Sequence, residues 1–257
     1  HCIARDPQGF VTQAGACGMT TSKQITIVHL YPREMSTYGD RGNVLCLQKR
    51  LEWRGFSQNT IEIHPGDRPP KSADIIFMGG GQDSGQRVIE SSLNDLAVWL
   101  RDEVDAGTPG LMICGGYQLL GHYFEMHNGY RIDGVGIFDA HTVAGQDRRI
   151  GNVVVRSKTF GEIIGFENHS GNTYIKSHEQ ALGSVRRGQG NNGADQTEGI
   201  FHKNFIGTYL HGPILPKNPL VADWLLATAL GISNTELAQL DDNNVAQARS
   251  VAARRPR

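Results

Sequence analysis

The chain has no apolar run of 18 residues or more among its 257, so it offers no segment able to span a bilayer as a helix, and no direct membrane insertion is expected. Cysteine is scarce: Cys2, Cys17, Cys46 and Cys114 form no C-x-x-C pair and no zinc-ligand spacing. That pattern argues against a disulfide framework and a structural metal, and points to a reducing, cytoplasmic setting. An excess of either charge is also missing. With 25 Lys and Arg against 26 Asp and Glu, there is no field to steer the protein toward nucleic acid or an anionic membrane. No internal repeat is visible and no linker is long enough to split the body. Residues 1–18 lack the apolar stretch of a secretory signal. Hydrophobic residues at 39% and charged residues at 20% are ordinary for a globular protein, and the length suffices for a full core.

The ends read differently from the body. Residues 1–18 are polar and without pattern, and Met19 leads straight into the first strand pattern. We therefore expect 1–18 to be a non-native or disordered extension, and residues 19–232 to form the domain. Residues 233–257 are expected to be a partly disordered tail, its last stretch from Ala246 ending in Arg254-Arg255-Pro256-Arg257.

Within the body, β-branched and apolar runs predict strands at Ile25–Leu30, Thr60–His64, Ala73–Met78 and Gly110–Ile113. Helical patterns run from Val44 to Arg54, from Val88 to Ala106 with Gly107 as a stop, and from Tyr117 to about Tyr123. This alternation predicts an α/β fold: an open, mostly parallel, flavodoxin-like sheet with helices on both faces. The second half carries shorter strand-like pieces at 135–138, 151–155, 163–166, 199–202 and 205–209, and a closing helix at 218–229. Ser184–Glu198 reads as the most flexible loop of the body. In such sheets ligands collect beyond the C-terminal ends of the strands. The loops after Leu30, Met78, Ile113 and Leu210 should therefore converge.

Two residues carry chemistry at those ends. Cys114 lies between the apolar run Gly110–Ile113 and a helix start, with Gly115 and Gly116 directly behind it. A strand–turn–helix of this kind pushes the side chain out of the sheet as a nucleophile, and a helix N-terminus favours the thiolate. The glycines let backbone approach a substrate closely. His211 follows an apolar strand and precedes Gly212-Pro213, which suits a proton shuttle paired with that cysteine. Gly79-Gly80-Gly81 is not followed by Lys-Ser/Thr, so no phosphate-binding loop of the Walker type exists. Asp40, Arg41 and Asn43 fit local turn chemistry and a partner-facing loop equally well.

Cys114-Gly115-Gly116-Tyr117-Gln118 with a later Leu210-His211-Gly212 resembles the class I glutamine amidotransferases, in the branch similar to cobyric acid synthase. Tyr38–Asn43, Gly79–Asp83, Gly165–Gly171 and Gly207–Pro213 together resemble a narrower family, the glutaminase subunit of bacterial lipid II isoglutaminyl synthase. The resemblance spans Ile25 to about Leu230. It implies that Cys114 attacks the side-chain amide of L-glutamine while His211 moves protons. It also implies that Gly115 with Gly80 or Gly81 forms the oxyanion hole. Arg148, favoured over Arg149, would bind substrate with Gln118 beside it, while Asn168 and His169 fit pocket lining and turn stabilisation equally well. No cofactor is expected in this chain. ATP and Mg are expected only in a partner, a Mur-ligase-like subunit that amidates the D-glutamate α-carboxyl of lipid II with the ammonia delivered. The rival implications are a glutaminase serving another, cobyric acid synthase-like amidating enzyme, and a catalytically idle regulatory module. Many class I members carry Glu two residues after the histidine; here that position is Pro213. The chain would then work as a dyad or receive an acidic residue from elsewhere, for which the partner subunit is the expected source.

Overall fold

A computed structural model describes residues 23–36 and 39–255; the expectations for residues 1–18 and for Met19 lie outside the described residues. The chain builds two sheets. The first contains β1 (Ile25–Leu30), β2 (Gln58–Ile63), β3 (Ile75–Met78), β4 (Gly110–Ile113), β11 (Ile200–His202) and β12 (Phe205–Thr208). Its order is β11-β12-β4-β3-β1-β2, parallel throughout except for the antiparallel edge pair β11 and β12. Every residue of β3, β4 and β12 is buried, as expected of parallel strands covered on both faces. This is the anticipated α/β architecture.

Helices α1 (Arg41–Glu52), α5 (Ile214–Lys217) and α6 (Pro219–Leu230) pack on one another. A second group is α2 (Asp83–Asp95), α3 (Ala97–Ala106) and the short α4 (Gly115–Leu119), with α2 touching both others. The single long helix expected at 88–106 is interrupted at Leu96. The apolar stripe runs on through Ile89, Leu93, Leu96, Leu100 and Val104, all buried, so periodicity gave no sign of the break. No described helix is long and apolar enough to cross a membrane.

The second sheet is formed by β5 (Tyr123–Glu125), β6 (Arg131–Asp133), β7 (Ala140–Ser157), β8 (Gly161–Ile175), β9 (Gly183–Arg187) and β10 (Thr197–Glu198). Its spine is the long antiparallel hairpin β7–β8, whose register shifts between Ala144 and Arg149. The apolar piece 135–138 is not a strand. Its amides at Val135, Gly136 and Phe138 donate to the carbonyls of Leu119, Gly121 and Leu120, so it is apolar because it is buried beneath the end of α4.

Two further expectations change. The segment 184–198 is pinned rather than loose: Glu167 accepts from the amides of Gln189 and Gly190. Asn191, fully buried, donates to Gly199 O and accepts from its N–H. At the C-terminus, α7 (Asn243–Arg254) replaces the expected tail. Arg249 on this helix bonds Asn218 Oδ1 and Glu162 O. Arg50 joins Asp223 to Asp242 just before it. Polar ties to the body hold α7 where its own residues bury little, which is why hydrophobic periodicity missed it.

Candidate active site

The ends of β3, β4 and β12 meet at Cys114. Its backbone has φ 50° and ψ −103°, a conformation that a non-glycine residue holds only when its surroundings enforce it. The enforcement is visible: Cys114 N donates to Thr208 O at 2.8 Å, and Gly116 N to Gly79 O at 3.2 Å. The turn is therefore stitched to both neighbouring strand ends. A Cβ on Gly116 would lie 3.0 Å from the carbonyl oxygens of Met78 and Gly79, so the close approach requires glycine there. The helix begins at Gly115, two residues earlier than the sequence pattern suggested.

His211 is delivered just beyond β12, with its amide donating to Phe166 O at 2.7 Å. It is 1% exposed. Burial by itself pushes an imidazole toward neutrality, but the sulfur of Cys114, to which the ring is hydrogen-bonded, and the carboxylate of Asp40 raise its pKa to about 10. Asp40 Oδ1 stands 3.5 Å from His211 Nδ1. Its other oxygen, Oδ2, accepts the Gly80 N–H at 2.7 Å.

Sequence reasoning missed this carboxylate, which precedes α1 at the far end of the chain. A carboxylate of the chain itself thus stands beside the imidazole, where a dyad or an acidic residue arriving from elsewhere was expected. The substitution at Pro213 belongs to the same arrangement: a Cβ on Gly42 would collide with the Pro213 ring, so the proline packs against the helix that brings Asp40 in. The two alternatives for the second oxyanion donor, Gly80 and Gly81, also differ. The Gly80 amide is engaged by Asp40, whereas among the described residues the amides of Gly81 and Gly115 have no hydrogen-bond acceptor.

Cys114 and His211 open into a cavity of about 450 Å³. Gly80, Gly81, Gln118, Arg148, Asn168 and His169 all line it. The two adjacent arginines separate clearly. Arg149 is turned away and donates to Gly171 O, Asn172 Oδ1 and Asn192 O. Arg148 faces the cavity, its Nε donating to Asn168 Oδ1 at 2.7 Å. Asn168 therefore orients the guanidinium. Gln118 is in the wall, but its amide is spent on Gln86 and Tyr209. His169 lies flat on Tyr209, with ring centroids 3.6 Å apart and an interplanar angle of 7°. Its Nδ1 must be the protonated nitrogen because it faces Gly171 O at 2.9 Å. Burial first, then the nearby arginines and His211, lower its pKa to about 3. Nε2 is therefore a neutral, buried acceptor, and it has no partner among the described residues. No described group of three or more His, Cys, Asp or Glu residues is placed to hold a metal ion.

The sequence pattern of the CobB/CobQ-like glutamine amidotransferase domain matches residues 26–219. The chain belongs to that family. This amidotransferase is 42% identical over 208 residues to the Staphylococcus aureus "Lipid II isoglutaminyl synthase (glutamine-hydrolyzing) subunit GatD", covering 80% of this chain and 84% of the relative. It is 38% identical over 211 residues to the subunit of the same name from Streptococcus pneumoniae, covering 80% and 81%. Among solved structures it is similar to PurLQS from Thermotoga maritima, with a TM-score of 0.50 and 14% identity over 90% of this chain and 100% of that one. At that identity the likeness concerns the fold alone. The family match ends at 219, so the strapped helix α7 of this amidotransferase lies beyond the matched domain.

Proposed function

We propose that this amidotransferase is the glutaminase subunit of a two-component synthase, hydrolysing L-glutamine at Cys114. The observation that carries the reading is the placement of Cys114, His211 and Arg148 around one cavity, with Asp40 buried against the imidazole. Arg148 suits the substrate α-carboxylate, which a guanidinium can grip through two parallel bonds. His169 Nε2, a neutral acceptor near neutral pH, suits the α-ammonium. The Cys114 sulfur attacks the carboxamide carbon. The oxygen that becomes negative is held by the N–H groups of Gly81 and Gly115; loss of one such donor typically costs about 2.7–4 kcal/mol. His211 gives its proton to the departing nitrogen, so ammonia leaves and a thioester remains. Water then attacks the thioester, His211 takes its proton, and glutamate departs with the thiolate restored.

The two GatD relatives are named as subunits of lipid II isoglutaminyl synthase. We infer the same role here: ammonia passes to a Mur-ligase-like partner, which uses ATP and Mg to amidate the D-glutamate α-carboxyl of lipid II. This chain's glycine run Gly79-Gly80-Gly81 lacks the Lys-Ser/Thr of a Walker-type phosphate loop. Its cysteine usage fits a cytoplasmic protein.

Labelling tests the reading. An electrophilic glutamine analogue should modify Cys114 covalently in the chain assembled with its partner, and Cys114→Ser should abolish both the label and ammonia release. Absence of labelling in the assembled wild-type protein would leave an idle module as the better description.

A further inference from the structure

Besides His169, the cavity contains a second buried acceptor without a partner, and it stands at the nucleophile's end. Gln86 on α2 is 2% exposed and lines the cavity. Its Nε2 donates to Gln118 Oε1 at 2.9 Å and to Gly81 O at 3.3 Å. Both neighbours are oxygens, so exchanging the amide's N and O would set oxygen against oxygen; the orientation is fixed. Oε1 is the remaining end, and among the described residues nothing donates to it.

The side chain is also held rigidly. Gln118 donates to the Tyr209 hydroxyl at 3.1 Å, that hydroxyl pairs with Thr173 Oγ1 at 2.6 Å, and Thr173 pairs with Thr142 at 2.7 Å. All are buried. The position is equally specific. A Cβ built on Gly115 would lie 2.9 Å from Gln86 Nε2 and 3.0 Å from Gly81 N. The Gln86 amide thus sits beside the two N–H groups assigned to the substrate oxygen.

A carboxamide whose oxygen points at Gly81 and Gly115 carries two N–H donors on its nitrogen. In a closed site those donors need acceptors. His211, protonated and paired with sulfur and Asp40, is not one.

We propose that Gln86 Oε1 accepts an N–H of the substrate carboxamide and so makes the site select an amide over a carboxylate. The proposal rests on the glutaminase reading and adds its specificity-determining residue. It has a consequence for turnover. The product glutamate places an oxygen where the amide nitrogen stood, so a lone pair meets a lone pair and the product is expelled.

The test uses the full chain with its partner subunit, wild type and Gln86→Met, a replacement of similar length that lacks both the acceptor and the Nε2 donor to Gln118 and Gly81. Two substrates are compared: L-glutamine, and L-glutamate γ-methyl ester, which has the same carbonyl and no N–H. For Gln86→Met, kcat/KM on glutamine should fall about tenfold to hundredfold, the loss that follows an unpaired buried donor. Ester hydrolysis, which reads the loss of the Nε2 bonds to Gln118 and Gly81 alone, should fall at least about tenfold less than glutamine hydrolysis, and inhibition by L-glutamate should become tighter. Equal losses on both substrates, no loss on either, or weaker glutamate inhibition would overturn the proposal. Ester turnover doubles as the folding control. If the Met variant loses it and melts early, Gln86→Asn, which keeps polarity but withdraws the oxygen, is judged by the same amide-to-ester ratio. Failure of the wild type to hydrolyse glutamine would instead count against the glutaminase reading.

Discussion

Replacing Asp40 by Asn removes one charge from the site and leaves the rest of its bonding in place. The asparagine oxygen can still accept the Gly80 N–H that Asp40 Oδ2 now accepts at 2.7 Å, so the loop at Gly79–Gly81 keeps its anchor. What disappears is the negative charge 3.5 Å from His211 Nδ1. At an effective dielectric of about 20, a full pair at that separation is worth about 5 kcal/mol. The imidazolium charge is spread over its ring and the asparagine dipole restores a part, so a net loss of about 2–3 kcal/mol is expected. At about 1.4 kcal/mol per decade, this moves the His211 proton loss down by about two pH units and lowers kcat by roughly 30- to 100-fold through deacylation, the step in which a neutral His211 takes the proton of water. The wild-type enzyme should keep an acidic His211 until the pH nears about 10; in Asp40→Asn the alkaline fall of kcat/KM should begin near pH 8. Ammonia release by the chain assembled with its partner, followed from pH 6 to 10.5, reads both quantities. KM for glutamine should change by less than about threefold. A variant within threefold of wild type in kcat, with its alkaline limb unmoved, would refute the reasoning and return the orienting carboxylate to the partner.

The two arginines should fail in different ways. Arg148→Ala should raise KM for glutamine about tenfold to hundredfold with a smaller change in kcat, and leave the melting temperature unchanged. Arg149→Ala, which loses bonds to Gly171 O, Asn172 and Asn192 O, should destabilise the fold by about 1–3 kcal/mol in urea titration. Glu198 supplies a pH prediction. Burial pushes its pKa up to about 7 despite bonds from Thr208 Oγ1 and the Tyr209 amide. The folded state therefore holds a proton that the unfolded chain releases near its ordinary 4.5. Stability from this group is full below about pH 4.5 and declines as the pH rises to about 7. The stability of Glu198→Gln relative to wild type should accordingly increase across that interval, as measured by urea unfolding at stepped pH; a constant difference would show that Glu198 does not titrate there.

How much was legible depended on the kind of signal. The first sheet could be read strand by strand because β3 and β4 are buried on both faces and nearly all apolar. Cys114 and His211 stood out because each ends such a strand beside glycine. Asp40 did not, since its role comes from the packing of Gly42 against Pro213, a contact between distant segments with no periodic trace. Gln86 was hidden for another reason: on the helical wheel a glutamine among apolar neighbours looks like one more core-edge residue, and only its bonds to Gln118 and Gly81 expose an oxygen left over. The apolar run 135–138 misled because burial beneath α4 and membership in a sheet select the same residue types. The helix α7 was unreadable because arginine contacts to carbonyls, rather than an apolar stripe, hold it.

The irregularity in the long hairpin has a consequence of its own. Here the register slips between Ala144 and Arg149, a stretch that contains Arg148, which faces the cavity, and ends at Arg149, which is turned away. A residue gained or lost in that stretch should turn the guanidinium of Arg148 away from the cavity, with no letter of either motif altered. Spacing there is itself inherited information, and a homologue scored only by which side chains it retains would hide the one change that disarms it.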